Sequence, residues 1–394
     1  MLSKRITSLP KALKASRSLL HGFILLGLGA SVCGDDSVQV PKFLGAASCS
    51  STSCHGGADE KNNQYHVWSR LDFHSRSYAT LTTARSERLA ELLKLEDASK
   101  SLRCTSCHAP FHGVAEEFRL PAAMPSHGVS CESCHGPAEP WIRSHTRPDF
   151  TTADRVASGM RDLKNLYVRA NTCVACHQTL DSDLAAAGHP ELHFELDGQC
   201  VSQPRHWKEA ESYSGPQAWL VGQAVALREM SWQLTLEKNE TLLARWSGLL
   251  WTLQQLGALH PEFPDLISIP VNRPEADHFH KTQKLADQLA RRAAELPWTE
   301  GWIQECLGKM LGAFSQFRDT SKPQMTHARR AEHLVLGLDR LAIRLPESQA
   351  KALNPEINHL YKLCQSLPAF DPKVFSTALE KTFLKAESMG LIRK

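Results

Sequence analysis

A cysteine pair followed directly by a histidine occurs four times in the first half of this chain, and it constrains the fold more than any other feature. Three copies have the spacing C-x-x-C-H, and the fourth has two additional residues between its cysteines. The motifs are CTSCH (Cys104, Cys107, His108), CESCH (Cys131, Cys134, His135), CVACH (Cys173, Cys176, His177) and CSSTSCH (Cys49, Cys54, His55). Ten of the 12 cysteines lie at or before Cys200, so we expect cysteine chemistry to organise this half of the chain.

Such a motif is compatible with three kinds of site: half of a zinc ribbon, a redox dithiol, or the attachment of a c-type haem. A dithiol needs a strand–helix context that the sequence lacks, and neither it nor zinc explains a histidine after every pair. In a c-type haem, the two thiols bond the two vinyl groups on one porphyrin edge, and the adjoining imidazole binds the iron. The sequence therefore predicts four covalently bound haem c groups, with CSSTSCH forming a bulged loop.

Each haem iron has a second axial position, and seven further histidines between residues 41 and 200 can supply it. A histidine there closes the iron and suits it to electron transfer, whereas an open position admits small molecules. The predicted distal ligands are His74, His127, His145 and His189. His66 is a substitute for His74, while His112 and His193 are interpreted as a polar neighbour and a supporting or surface residue. The histidines beyond the motifs are interpreted as surface or capping residues: His206, His260, His278, His280, His327, His333 and His359.

Residues 1–33 have the order of a secretory signal, with five basic residues, then an apolar run of about a dozen residues, then small residues. The run is short for a membrane span, which needs about 20 residues. We therefore predict an exported, periplasmic protein. Cys33 is a candidate for lipidation although Val32 departs from the usual small residue, and an uncleaved N-terminal membrane anchor is the alternative.

The charge of the chain gives no reason to expect nucleic acid as a partner. The chain carries 45 basic and 42 acidic residues, a net charge of +3. Without the five basic residues before Cys33, 40 basic residues face 42 acidic ones, which leaves a net charge of −2. A weakly acidic surface does not attract a polyanion.

The predicted fold class is mainly α, because no alternating strand pattern of useful length occurs. We expect a loop-rich multihaem cytochrome domain over 41–200 and an α-helical bundle over 205–394. Six or seven helices are predicted in the bundle from apolar periodicity between Pro and Gly breaks, the sixth of them starting at Ile357. Cys306 and Cys364 are predicted either to form a disulfide across this bundle or to remain buried thiols.

Three strings make residues 41–200 resemble the cytochrome c-554 family of multihaem cytochromes. They are WSRLDFHSRSY, GVSCESCHGP with His145 after it, and CVACH with AGHPELHFEL; PRHW (204–207) extends the likeness. The resemblance implies a periplasmic tetrahaem carrier, helical and loop-rich, with closely stacked and mostly bis-histidine haems, sometimes with one five-coordinate iron. It carries over the four cysteine pairs, the proximal histidines and the four distal candidates. CSSTSCH departs from the family spacing, and the bundle is absent from the small carriers.

The predicted function is a one-electron relay between respiratory partners, which are other cytochromes or a membrane quinol-linked complex. The alternative is an oxidoreductase that acts on a small nitrogen or sulfur compound at one open haem. No C-x-x-C-K motif supports that alternative, and the haem region offers few tyrosines. In a third interpretation, the helical half docks the cytochrome onto its respiratory partner.

Overall fold

The computed structural model describes residues 40–257, 259–365 and 369–392. The described part is helical, with no β-strand and a single isolated bridge between Phe43 and Arg119. This confirms the predicted mainly-α class. The predicted signal over residues 1–33 and the lipidation of Cys33 lie outside the described residues. None of the described helices is both long enough and apolar enough to span a membrane.

Short helices joined by loops make up the first half of the described chain. The helices are α1 (Gln64–Arg70), α2 (Ser77–Thr80), α3 (Ala84–Leu92), α4 (Leu102–His108), α5 (Cys131–His135), α6 (Thr152–Ala157), α7 (Leu166–His177), α8 (Ser182–Ala186) and α9 (Leu196–Ser202). Five 3-10 turns lie before or between these helices, at Ala46–Cys49, Phe73–Arg76, Pro110–Gly113, Glu116–Phe118 and Pro125–His127. This region is loop-rich, as the sequence predicts.

Seven longer helices follow among the described residues, in agreement with the six or seven predicted. They are α10 (Gly215–Leu236), α11 (Glu240–Gly257), α12 (Ala276–Glu295), α13 (Glu300–Gly312), α14 (Gln324–Ala342), α15 (Glu347–Cys364) and α16 (Pro372–Ser388), with a 3-10 turn at Ala313–Arg318. Helix α15 begins earlier than predicted, because it continues through Pro355. Leu353, Ile357 and Leu360 are buried on one face of α15, and this burial offsets the hydrogen bond that the proline cannot make.

Helix α10 lies at the centre of the bundle, against α7, α9, α11, α12 and α14. It is buried on nearly all sides, as expected for a helix that is apolar around its circumference. Leu166, Ala170 and Val174 of α7 recur every four residues and belong to the same apolar core. The helix that carries CVACH is therefore packed directly on the bundle. The domain boundary between 200 and 205 stays a prediction.

Both candidate partners of the predicted disulfide, Cys306 and Cys364, are free thiols. Cys306 is fully buried in α13, where burial raises the pKa of its thiol. Burial also raises the pKa of Cys364, to about 12. The structure thus corresponds to the second of the two predicted alternatives for Cys306, which is an unpaired buried thiol, whereas Cys364 is unpaired and half-buried.

Candidate haem sites

Three of the four cysteine motifs lie on α-helices, and in each the histidine is the last helical residue. CTSCH ends α4, CESCH forms α5, and CVACH ends α7. On a helix, positions i, i+3 and i+4 share one face, so both thiols and the imidazole point to the same side. This is the arrangement that two thioether bonds and one axial ligand to a single haem require.

The CSSTSCH motif has a different backbone. Its first cysteine ends a 3-10 turn, and tight turns follow, in which His55 N–H donates to the Cys49 carbonyl at 3.2 Å and Gly56 N–H donates to the Ser51 carbonyl at 3.0 Å. A Cβ atom on Gly56 would lie 1.9 Å from the Ser50 carbonyl oxygen. The longer spacer is therefore folded back on itself, as a bulged loop should be.

Three proximal histidines face a second histidine across a gap of nearly constant width. The ring centroids of His55 and His145 are 6.2 Å apart, those of His177 and His74 are 6.0 Å apart, and those of His108 and His189 are 6.4 Å apart. A metal–imidazole bond of about 2 Å on each side of one iron sets the two centroids about 6 Å apart. The residues present therefore fit a bis-histidine haem at three of the four motifs.

Hydrogen bonds to Nδ1 orient the imidazoles of these pairs. His55 Nδ1 lies 3.0 Å from the Gln64 amide oxygen, and His108 Nδ1 lies 2.9 Å from the Thr80 hydroxyl. His145 and His189 have carbonyl partners, those of Ile142 at 2.8 Å and Pro190 at 2.9 Å. His74 Nδ1 is 3.0 Å from a carboxylate oxygen of Asp72. A partner at Nδ1 fixes the tautomer and leaves Nε2 for a metal.

Burial keeps three of the motif histidines, His108, His135 and His177, in the neutral form that binds metal. It lowers the pKa of His135 to about 4, and the nearby positive charges of His206, His55 and Arg161 act in the same direction. Burial also lowers the pKa of His108 and of His177. Since a neutral imidazole has a free lone pair, these side chains can bind iron at neutral pH without releasing a proton.

His135 has no histidine ring at the 6 Å spacing among the described residues, but His206 has the largest electrostatic effect on it of any neighbouring residue. The Nδ1 atom of each of the two rings is buried and has no hydrogen-bond partner within the described part of the chain. His206 also packs edge-on against Trp207, with centroids 5.2 Å apart. The interpretation of His206 as a surface or capping residue is therefore wrong. Its place in PRHW, which extends the family likeness, was the one available signal, because distance along the chain hides its return to α5.

The remaining candidates near the motifs lie in other environments. His127 packs against Trp68 at 6.4 Å and is not brought to a proximal histidine at the spacing of the other pairs, so its role as a ligand stays a prediction. His66 donates through Nε2 to the Gly56 carbonyl oxygen, 3.0 Å away. His112 is bonded to the Thr105 hydroxyl at 2.9 Å. His193 is exposed and contacts two glutamates, as expected for a supporting or surface residue.

Two histidines of the bundle are also not at the surface. His327 is 1% exposed and His333 is 8% exposed, so their interpretation as surface residues is wrong. His327 Nε2 is bonded to the Asp319 carbonyl at 2.9 Å, while neither ring nitrogen of His333 has a partner. Both occur on the inner face of α14 among alanines and leucines. In contrast, His278 accepts from the Glu275 N–H and caps α12, as expected.

Contacts between cysteines show the spatial order of the motifs. The neighbouring Cys131 side chain lowers the pKa of Cys49. The neighbouring Cys176 side chain lowers the pKa of Cys107 to about 7. Burial raises the pKa of Cys173, and neighbouring groups that include Cys134 add to the shift. The motifs thus follow one another in space as CSSTSCH, CESCH, CVACH and CTSCH, which is not their order in the chain.

One comparison with known proteins gives a match. Residues 48–136, which include the first three motifs, match the family model described as cytochrome c554 and c-prime. No curated protein and no solved structure gives a significant match. The family resemblance seen in the sequence is confirmed over the matched residues.

Proposed function

We propose that this protein is an exported tetrahaem electron carrier. The premise is that residues 48–136 match the cytochrome c554 family model, which makes the chain a c-type cytochrome with covalently bound haem. The observation that carries the proposal is the set of three histidine pairs with ring centroids 6.0–6.4 Å apart, each beside a cysteine pair. Such pairs suit closed, low-spin irons, which exchange electrons without binding substrate.

Each haem in this proposal is held by two thioethers and two imidazoles. The cysteine pairs are Cys49 and Cys54, Cys104 and Cys107, Cys131 and Cys134, and Cys173 and Cys176. The histidine pairs that would hold three of the irons are His55 with His145, His108 with His189, and His177 with His74. His206, whose Nδ1 atom is buried, would be the second ligand at His135. When bound, haem supplies a one-electron couple whose potential the protein sets.

The protein residues hold these groups. Hydrogen bonds at Nδ1 fix the imidazole orientations of His55, His108 and His145. The neighbouring cysteines set the order of the four motifs, with CSSTSCH and CTSCH at the two ends. With haem bound, the sites at His55 and His108 would be the two ends of this row, and the other two sites would lie between them.

The proposed location is the periplasm, on the evidence of the secretory order of residues 1–33. Attachment to the membrane through a lipid on Cys33, or through an uncleaved anchor, is part of the proposal. The partners are other cytochromes or a membrane quinol-linked complex. They are proteins that exchange single electrons, which is the chemistry that haem c provides.

A redox titration of the matured protein, followed by optical and EPR spectroscopy, tests this proposal. We expect four electrons per chain and only low-spin ferric signals, unchanged by nitric oxide or hydroxylamine. A high-spin signal that shifts with these small molecules would contradict a pure carrier. It would favour the oxidoreductase alternative, and His135 is then the site to examine, because its ring is not paired at 6 Å.

His206→Ala distinguishes the two outcomes at His135. If His206 is the ligand, the variant gains one high-spin iron that the wild type lacks. His280→Ala, which removes an exposed histidine of α12, is the matched control and should leave the spectrum unchanged. An identical spectrum for His206→Ala would remove this residue from the ligand set.

A further inference from the structure

A buried carboxylate lies directly behind one distal ligand. Asp72 is 2% exposed, and its Oδ1 atom is 3.0 Å from both the backbone N and the Nδ1 atom of His74. Its Oδ2 atom accepts a 2.7 Å hydrogen bond from the Gln203 amide. Asp72 thus caps the 3-10 turn at Phe73–Arg76 and supports the imidazole of His74 with the same oxygen.

This contact differs from those of the other paired histidines. Five of these histidines have an Nδ1 partner in the described part of the chain, and the partners of His55, His108, His145 and His189 are neutral amide, hydroxyl or carbonyl oxygens. Among these five histidines, only His74 has an ionisable group as its Nδ1 partner. Both oxygens of Asp72 lie within hydrogen-bond distance of a donor, the His74 ring at 3.0 Å and the Gln203 amide at 2.7 Å, and such contacts hold a carboxylate in its charged form.

A buried negative charge at Nδ1 changes the electron affinity of the iron on the other side of the ring. It makes the imidazole a stronger donor, and it stabilises the ferric state, which carries one more positive charge than the ferrous state. The interaction is strong because the surroundings have a low dielectric constant. Both effects lower the reduction potential.

We propose that Asp72 is a positioning residue that gives the haem held by His74 and His177 the lowest reduction potential of the four. This inference rests on the proposed function, because it assumes a haem between these two histidines. The haem lies within the row of motifs, since CVACH stands between CESCH and CTSCH. The site with the lowest reduction potential would therefore lie within the row of four sites and not at either end.

Asp72→Asn tests the proposal, because asparagine keeps an oxygen that can accept from Nδ1–H but removes the charge. In a redox titration of the four-haem protein, we expect the lowest-potential component to rise while the others stay in place. We expect about a tenfold gain in the equilibrium constant for one-electron reduction, which corresponds to about 59 mV. The EPR signal of one low-spin haem should shift as well.

Asp149→Asn is the matched control, because Asp149 is an exposed carboxylate that pairs with Arg147 and touches no paired histidine. It should leave all four potentials unchanged. If Asp72→Asn leaves the lowest component in place, or moves another one, the inference is overturned. Asp72→Glu, which restores the charge, should return the potential toward that of the wild type. If the wild type itself carries no haem at CVACH, the proposed function fails before this test applies.

Discussion

At the scale of single residues, buried polar groups join the backbone segments around the cysteine motifs. Glu132, inside CESCH, is 1% exposed. Its carboxylate accepts hydrogen bonds from Leu44 N–H at 2.9 Å, Gly45 N–H at 2.6 Å and Ala138 N–H at 2.8 Å. One side chain thus fixes the segment that precedes CSSTSCH, the helix of CESCH and the loop that follows it.

Glu132→Ala should therefore destabilise the protein strongly. The change leaves three backbone N–H groups without their partner, at a cost of about 1–3 kcal/mol for each that stays buried. We expect the free energy of unfolding, measured by urea titration with circular dichroism, to fall by about 3 kcal/mol or more. Glu116→Ala, which removes a 93% exposed carboxylate, is the control. Equal stability of the two variants would contradict the structural role of Glu132.

Single residues also show how far the sequence predicts the site. The motif cysteines and histidines follow from their spacing, and His74, His145 and His189 were predicted from their local strings; each lies 6.0–6.4 Å from a motif histidine. His206 and Asp72 were not predicted. His206 reaches α5 by a tertiary return of the chain, and the contact of Asp72 depends on the 3-10 turn that it caps. No spacing between residues in the sequence predicts either of these two contacts.

At the scale of elements, the length of the spacer decides the backbone of each motif. Two residues between the cysteines fit one helical turn, so CTSCH, CESCH and CVACH are helical. Four residues cannot keep both thiols on one face of a short helix, and CSSTSCH folds into successive turns instead. The bulged loop was predictable from this mismatch, whereas the close approach of Gly56 to Ser50 was not, because it depends on how the turns close.

Gly56→Ala should cost the protein the haem at CSSTSCH. The added Cβ atom would lie 1.9 Å from the Ser50 carbonyl oxygen, so the turns could close only after the backbone moved. We expect the haem content to fall from four to three per chain, measured by the haem absorbance of the alkaline pyridine derivative.

Gly113→Ala is the control for this prediction. The nearest atom to its Cβ would be Leu102 Cδ2 at 3.5 Å, which is an ordinary contact. This variant should keep four haems. A full complement of haem in Gly56→Ala would show that the CSSTSCH loop tolerates a different backbone from the one described.

At the scale of the whole molecule, the haem-carrying half and the bundle share a core. Helix α7 ends in CVACH and buries Leu166, Ala170 and Val174 with the residues of α10. The seven helices of the bundle were predictable because each repeats apolar residues at helical spacing between breaks. The joining of α7 to them was not, because its three core residues are interspersed with cysteines, and two of them are small.

A polar cluster surrounds His333 of α14, within the bundle. Burial lowers the pKa of His333 to about 4 although Glu332 opposes the shift, and Arg245, His193 and Arg329 add to the lowering. The ordinary value is 6.5, so the unfolded chain binds a proton between pH 6.5 and pH 4 that the folded chain does not. Stability from the neutral ring is complete above this range and is lost as the pH falls through it.

His333→Gln should therefore flatten the loss of stability on acidification. We expect the free energy of unfolding of the wild type to fall more between pH 7 and pH 4.5 than that of the variant, by an amount on the order of 3 kcal/mol. The thermal midpoint, measured at both pH values, should fall further for the wild type as well. His280→Gln, at an exposed position of α12, should follow the wild type. Parallel pH profiles for His333→Gln and the wild type would contradict a neutral buried His333.

The number of covalent haems tests the account most directly, and mass spectrometry under denaturing conditions measures it. The protein is expressed with its N-terminal segment in a host that matures c-type cytochromes, and unbound haem is removed by denaturation. The account predicts the mass of the processed polypeptide plus four haems. Three haems would contradict the assignment of CSSTSCH, and a chain without haem would contradict the interpretation of all four motifs.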